Sequence, residues 1–342
     1  MKSLMAIGTA PYESSPAARV FPMAALRFGC GSAALCNVLA VVALLIFHPA
    51  TGTRAAEKAG LTDEEVRKIA SAVPKKATAR PAQPRKLLAF TLAIGYYHQS
   101  IPYGAKALEL MGEKTGAFQT TVSDDIAMFE PEKLRQFDGV CFVNALGELF
   151  LPQNLDKLAP AEQANARKFD ERLKKGLVEF VKSGKGLAGI HGATYAFYQW
   201  PEFGEMLGAF FDNHPWQSTD LIAIKVDDPH HPVVAAFGGK GFEIIDEGYQ
   251  FKDPYSRLNM RVLLSLDTAR MDMRKEGLHR PDNDFGLSWV KRYGEGRVFY
   301  SALGHNPEEY WNPQILRHYL DGLQFALGDL PADTTPLAAG VK

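Results

Sequence analysis

Four histidines in this chain fall where an α/β protein can do chemistry. His191 lies in "GLAGIHGATYAFYQW", at the end of the apolar run Leu187 to Ile190, with Gly189 and Gly192 close by. Small residues at such a point let a strand turn sharply into a helix and expose the central side chain. His305 follows the run "RVFYSALG" and precedes Glu308 and Glu309 within one turn. A carboxylate that orients an imidazole of near-neutral pKa suits general acid/base work. His98, with Ser100, and His214, in "DNHPW", occupy segments rich in Gly and aromatic residues. Glu247 in "FEIIDEGYQF", flanked by Tyr249 and Phe251, is the companion carboxylate, and Asp246 beside it reads as a turn cap. His191, His305, Glu247 and Glu308 are therefore the expected catalytic groups.

Other residue types narrow the chemistry. Neutral imidazoles of His98, His191 and His214 with the Glu247 carboxylate form a plausible divalent set, and Asp212 and His214, two apart, could chelate from a loop. No HExxH and no paired Cys accompany them, so the expectation is a site without cofactor, with a divalent metal such as zinc as the alternative. There is no G-x-x-x-x-G-K-[ST] loop, and Gly184, Gly186 and Gly189 do not open a helix as G-x-G-x-x-G. Aromatic faces suit stacking on sugar rings. Tyr195, Trp200, Trp216, Tyr249 and Trp311, with the polar His98, Ser100, Asn144 and His214, form the expected substrate-binding set. His279 and His318 read as structural or solvated, and His230 and His231 as structural, in a turn with Asp227 or Asp228 as cap.

These residues need a scaffold. "KLLAFTLAIGYY", "FQTTVSDD", "FDGVCFVNAL" and "GLAGIHG" are nearly all-apolar strand runs, separated by the amphipathic "GAKALELMGEKTG" and a helix from Ala161 to Ser183. That alternation predicts a parallel sheet covered by helices on both faces, with the ligand crevice at the C-terminal strand ends. The second half is richer in strands, with a β-hairpin through Tyr293-Gly-Glu-Gly296 and the closing helix "PQILRHYLDGLQFALG". Residues 53–85 read as a linker: a short helix with Thr62 and Glu65 at capping-box spacing, then a Pro- and Lys/Arg-rich extended stretch.

The chain has 342 residues, 46% hydrophobic and 23% charged, with a formal net charge of −1. Nucleic acid needs a basic field, so it is excluded as a partner. Phe28 to Phe47 carries no charge and follows Arg27, close to the roughly 20 apolar residues of a membrane span. Residues 1–52 read as a signal peptide, with Ala50 and Gly52 near the cleavage point and Met23 as an alternative start, or as an uncleaved anchor. The expected location is exported and periplasmic, with membrane contact only through this segment. Cys141 alone would remain, in a buried strand, so it reads as a packed thiol.

Several of these stretches, in order, resemble the ThuA-like (trehalose-utilisation) family. They are "LAIGYYHQSIPYGAKALEL", "SDDIAMFEPEKLRQFDGVCFVNALGEL", "GIHGATYAFYQWPEFGEMLGAFFDNHPW", "DEGYQF" and "GEGRVFYSALGHNPEEYWNP". The resemblance covers residues 86–331, leaving 332–342 as a flexible tail. It implies a flavodoxin-like fold of the class I glutamine amidotransferase type, in which the nucleophile turn carries a cysteine within G-x-C-x-G. His191 occupies that turn here, which excludes glutamine hydrolysis through a thiolate. "NALGEL" has Ala145-Leu146 where the family often has Thr-Thr. The implied role is in carbohydrate catabolism, on a disaccharide or 3-keto-sugar, by isomerisation, enolisation or glycoside cleavage. The alternatives are a non-catalytic sugar-binding module and a metal-dependent hydrolase.

Overall fold

A computed structural model of the protein describes residues 60–337. The apolar segment 28–47 and the cleavage point near Thr53 lie outside the described residues, and no helix among the described residues is long and apolar enough to cross a membrane.

The chain order is α1 (Asp63–Ala72), β1 (Lys86–Phe90), α2 (Ile101–Thr115), β2 (Gln119–Ser123), α3 (Pro131–Leu134), β3 (Gly139–Val143), α4 (Pro160–Lys182) and β4 (Gly186–Ile190). Then follow α5 (Pro201–Leu207), β5 (Phe210–Trp216), β6 (Leu221–Val226), β7 (Phe242–Ile245), β8 (Gly248–Lys252), β9 (Arg261–Leu266), β10 (Gly286–Tyr293), β11 (Gly296–Ser301) and α6 (Pro313–Ala326). Nine strands form one sheet in the order β2-β1-β3-β4-β11-β10-β9-β6-β7, and β5 pairs with β8 in a separate ribbon. The first five strands of that order are parallel to one another; β10, β9, β6 and β7 continue the sheet antiparallel.

The apolar runs explain the parallel part. β3 and β4 are buried at every residue, as strands covered on both faces must be. Their parallel direction brings the segments after β1, β3, β4 and β11 to one edge, which is where such sheets bind ligands. β10 and β11 pair antiparallel from Ser288↔Ser301 to Tyr293↔Gly296, so β11 returns beside β4 and delivers His305 to that edge.

Three expectations are corrected. The segment read as a linker is docked on the domain wherever it is described. α1 has the Thr62–Glu65 capping box, and it buries Ile69 and Val73 completely or nearly so, each such burial contributing roughly 1.5–3 kcal/mol. The Pro-rich stretch is held by polar contacts that composition does not reveal. Thr78 N–H donates to Gln324 Oε1 at 2.8 Å, Ala82 N–H donates to Asp329 Oδ1 at 3.0 Å, and the Arg85 guanidinium pairs with Asp329 at 2.7 Å. The second correction concerns "DNHPW", which is not a loop but part of β5, an irregular strand with two register shifts against β8. A smaller one is the turn before Pro232, which the His231 ring caps by accepting from Val233 N–H.

Candidate active site

The edge segments are fastened to each other through Asn144. Its side chain is fully buried, and its backbone has φ 51°, in the left-handed region that asparagine tolerates better than most residues. Asn144 Oδ1 accepts from Gly192 N–H at 3.1 Å, while Nδ2 donates to Ser100 Oγ at 2.9 Å and to the Gly304 carbonyl at 3.1 Å. Ser100 in turn donates to that carbonyl at 2.8 Å. One side chain thus joins the segments after β1, β4 and β11, while remaining outside the cleft lining. Ser100 and Asn144, expected to bind substrate, are instead the brace of the site.

His191 begins the turn after β4 with φ 47°, a conformation that costs a non-glycine residue of order 1–3 kcal/mol. Its surroundings over-determine it. Nδ1 lies 2.7 Å from the Ala302 carbonyl, so that nitrogen carries a proton. Nε2 faces Tyr249 Oη at 2.8 Å, a phenol that burial keeps well above its usual pKa and so neutral. A side chain at Gly192 would crowd the His98 ring, 3.1 Å from the position of its Cβ. His191 is fully buried and lies behind the cleft wall.

The groups that reach the cleft are His98, His214, Glu247, Tyr249 and His305. Glu247 sits among three imidazoles: its Oε2 is 3.2 Å from His305 Nδ1 and 3.5 Å from His191 Nε2, and its Oε1 is 3.8 Å from His214 Nδ1. Burial alone would raise its pKa, but His191 and His305 outweigh burial and hold the carboxyl below the ordinary carboxylate range. For His305 burial works the other way, favouring the neutral ring, yet the Glu247 carboxylate prevails and raises the imidazole above its ordinary value. His98 has no such support. Burial first, then the neighbouring His191 and His305 rings, push it down to about 2, so it is neutral. Its Nδ1 is buried without a hydrogen-bond partner.

The cleft has a volume of about 750 Å³, within the range of small-molecule sites. Tyr96, Tyr195, Phe211 and Leu146 supply apolar walls, and Gln217 and Ser218 add polar groups. Leu146 is one of the two residues that stand where hydroxyls were expected. Tyr195 is 40% exposed and packs on Tyr198 at 4.8 Å, a free aromatic face at the rim.

Four expected site residues lie elsewhere. Trp216 is buried against the edge of Phe285. Trp200 packs on Phe203 with Lys174 over its ring, and Trp311 packs on Tyr103 with Lys68 over its ring, on the α1 side. Glu308 is exposed and acts on Tyr103 rather than on His305. The carboxylate that orients His305 is Glu247, contributed by the β7–β8 turn. Trp and Glu look the same in sequence whether they serve the core, the surface or a site, so only tertiary placement separates them. Tyr96 and Phe211 were not singled out, although Tyr96 stands two residues from His98 in an aromatic stretch that hinted at a rim, and Asp246 was read only as a turn cap.

The ring nitrogens of His98, His191 and His305 lie within 4.8 Å of one another. His191 Nε2 and His305 Nδ1 are 3.3 Å apart. That is about the spacing of two ligands on a tetrahedral zinc with bonds of about 2.0–2.1 Å. The cluster differs from the set expected from sequence: His305 takes part in it, while His214 stands on the far side of Glu247.

The family model for ThuA, described as trehalose utilisation, matches residues 86–326. Among solved structures, the chain is similar to a ThuA-like protein from Bacteroides uniformis, with 20% identity and a TM-score of 0.53, over 72% of this chain and 93% of that one. A ThuA-like protein from Parabacteroides merdae is 19% identical with a TM-score of 0.49, over 72% and 91% of the two chains. No curated protein matches the chain in sequence. The matched span contains every strand of the sheet and every cleft residue named above, and on it the chain belongs to the ThuA family of trehalose utilisation, with a carbohydrate-related role.

Proposed function

We propose that the protein is an enzyme that acts on a disaccharide or 3-keto-sugar by proton transfer through His305 and Glu247. The observation that carries this reading is the 3.2 Å pair of His305 and Glu247 in an aromatic-walled cleft, the carboxylate ionised and the imidazole made more basic by it. A base of this kind can remove the proton on the carbon beside a sugar ketone. The electron pair moves onto the ketone oxygen, where the neutral Tyr249 hydroxyl is placed to donate. Return of the proton from His305 to the former ketone carbon, with the adjacent hydroxyl proton passing to the former ketone oxygen, isomerises the sugar; its return to a glycosidic oxygen departing from the carbon beyond cleaves it. His191 touches no solvent, so its part is to position Tyr249 and His305.

A second reading is favoured by the histidine cluster. His98 Nδ1 lacks a partner, and His191 has its Nδ1–H fixed on a carbonyl in the way metal-bound histidines commonly are. His98, His191 and His305 would hold a divalent cation, which would polarise a sugar oxygen. Metal content of the purified protein, and activity before and after chelator, separate the two readings.

The test of the principal reading is a product screen by mass spectrometry on trehalose, sucrose and their 3-keto forms, with wild type and His305→Ala. Turnover lost in the variant supports it. Equal turnover in both proteins removes His305 from the chemistry. Sugar binding without turnover would make the protein a binding module. We also propose that the chain is exported. An N-terminus near Thr53 on protein recovered outside the cytoplasm supports that, full-length chain in membranes selects an anchor, and full-length chain in the cytosol refutes export.

A further inference from the structure

The segment that carries His305 is held from both sides by carboxyls. Gly304 N–H donates to Asp246 Oδ2 at 3.3 Å, and Asn306 N–H donates to Glu309 Oε1 at 3.2 Å. Both side chains are in the interior, Asp246 at 0% and Glu309 at 2% exposure. Their remaining oxygens, Asp246 Oδ1 and Glu309 Oε2, are buried with no hydrogen-bond partner, and each carboxyl acts on the other's ionisation. Neither forms an ion pair with a Lys or Arg among the described residues. Two bare carboxylates side by side in a low-dielectric interior repel each other and lose their hydration, so one of them keeps a proton.

The surroundings indicate which. Burial raises the Asp246 pKa, but His191 and His305, from the turns after β4 and β11, and the Glu247 backbone N–H beside it all oppose that and favour its anion. Glu309 has burial and the Asp246 charge against ionisation, opposed only by the backbone amides of Asn306 and Gly304. Tyr310 and Tyr319 face the pair from the turn before α6 and from α6, as neutral hydroxyls. Glu247 is the next residue along the chain, on the cleft side. Gly304 itself, at φ 132°, brings the backbone close enough that a Cβ there would meet the Tyr310 hydroxyl at 2.8 Å.

We propose that Asp246 and Glu309 form a one-proton carboxyl pair, with the proton on Glu309, that positions the His305 loop. Both are positioning residues, since neither reaches the cleft. The effect on turnover rests on the acid/base reading above; the shared proton does not.

The experiment is infrared difference spectroscopy of the purified full chain at neutral pH in H2O and D2O, with wild type and Glu309→Gln. Wild type shows a deuterium-sensitive carbonyl stretch of a protonated carboxylic acid, and Glu309→Gln, which mimics the protonated group, loses it. Absence of the band in wild type, or its survival in Glu309→Gln, overturns the proposal. If the band behaves as stated and no sugar is turned over, the pair stands and the acid/base reading falls.

Discussion

The two parts of the sheet make different contributions to the cleft. The parallel strands deliver His98, His191 and His305 in segments locked by backbone contacts: a carbonyl holds the His191 Nδ1–H, and Asn144 ties three loops together. The β5–β8 ribbon and the turn before it deliver Glu247, Tyr249, His214 and Phe211, the groups that charge the imidazoles and line the wall. The rigid edge sets where the rings are, and the ribbon sets how readily they hold protons. A parallel sheet alone would leave His305 a half-buried imidazole with a depressed pKa, since burial is the largest single influence on it and favours the neutral form.

Substitutions on each side should therefore fail in different ways. The largest effect is expected for His305→Ala, which lowers kcat/KM on the active sugar by about 10²–10⁴-fold, the usual worth of a general acid/base group, with little change in thermal midpoint. Asn144→Ala attacks the rigid side. It strips partners from the Gly192 amide, Ser100 and Gly304 at once, and denaturant unfolding should show a loss of about 2–4 kcal/mol.

Glu247→Gln tests the ribbon's electrostatic part. Because Glu247 raises the His305 pKa, a neutral His305 acting as base appears only as pH rises through a value above the ordinary 6.5 or so. The rising limb of kcat/KM should therefore lie above that value in wild type and move to lower pH in the variant. The stability that His305 draws from this pair is present below its ordinary pKa and is lost as pH climbs through the raised one.

His98 has the opposite sign. Folded, it resists protonation down to about 2, while unfolded it titrates near 6.5. The unfolded chain then binds the extra proton between these values, so stability falls as pH drops, by up to about 1.4 kcal/mol per pH unit. Urea titrations at pH 7 and pH 5 should show a smaller decline in His98→Gln than in wild type. The smallest effect is expected at the rim, where Tyr195→Ala should raise KM several-fold and leave kcat nearly unchanged.

The same division governed what could be read in the sequence. In the parallel part, three apolar runs with Gly or Asn near their ends (β1, β3 and β4) announced both the strands and the edge where His98, Asn144 and His191 meet, because a strand buried on two faces has almost no other composition open to it. The ribbon was harder. Pro215 and three polar neighbours hide β5 as a strand, and its two register shifts remove the alternation that would reveal it. Aromatic residues misled most: Trp200, Trp216 and Trp311 pack on the body of the protein, and Tyr96 and Phe211 are at the cleft. Glu247, not Glu308, orients His305, since proximity along the chain is a weak guide when strand-end loops converge from segments 58 residues apart. The docking of residues 63–85 was concealed for a related reason, its anchors Gln324, Asp321 and Asp329 lying at the other end of the domain.

The most direct measurement is hydrogen exchange on the substrate. A 3-keto-disaccharide is incubated with the protein in D2O, and deuterium at the carbons beside the ketone is counted by mass spectrometry. Wild type should introduce deuterium far faster than buffer, with His305→Ala slower by about 100-fold or more and Glu247→Gln slowed and shifted in pH. Exchange at the buffer rate in wild type, or at the wild-type rate in His305→Ala, would contradict proton transfer by the His305–Glu247 pair.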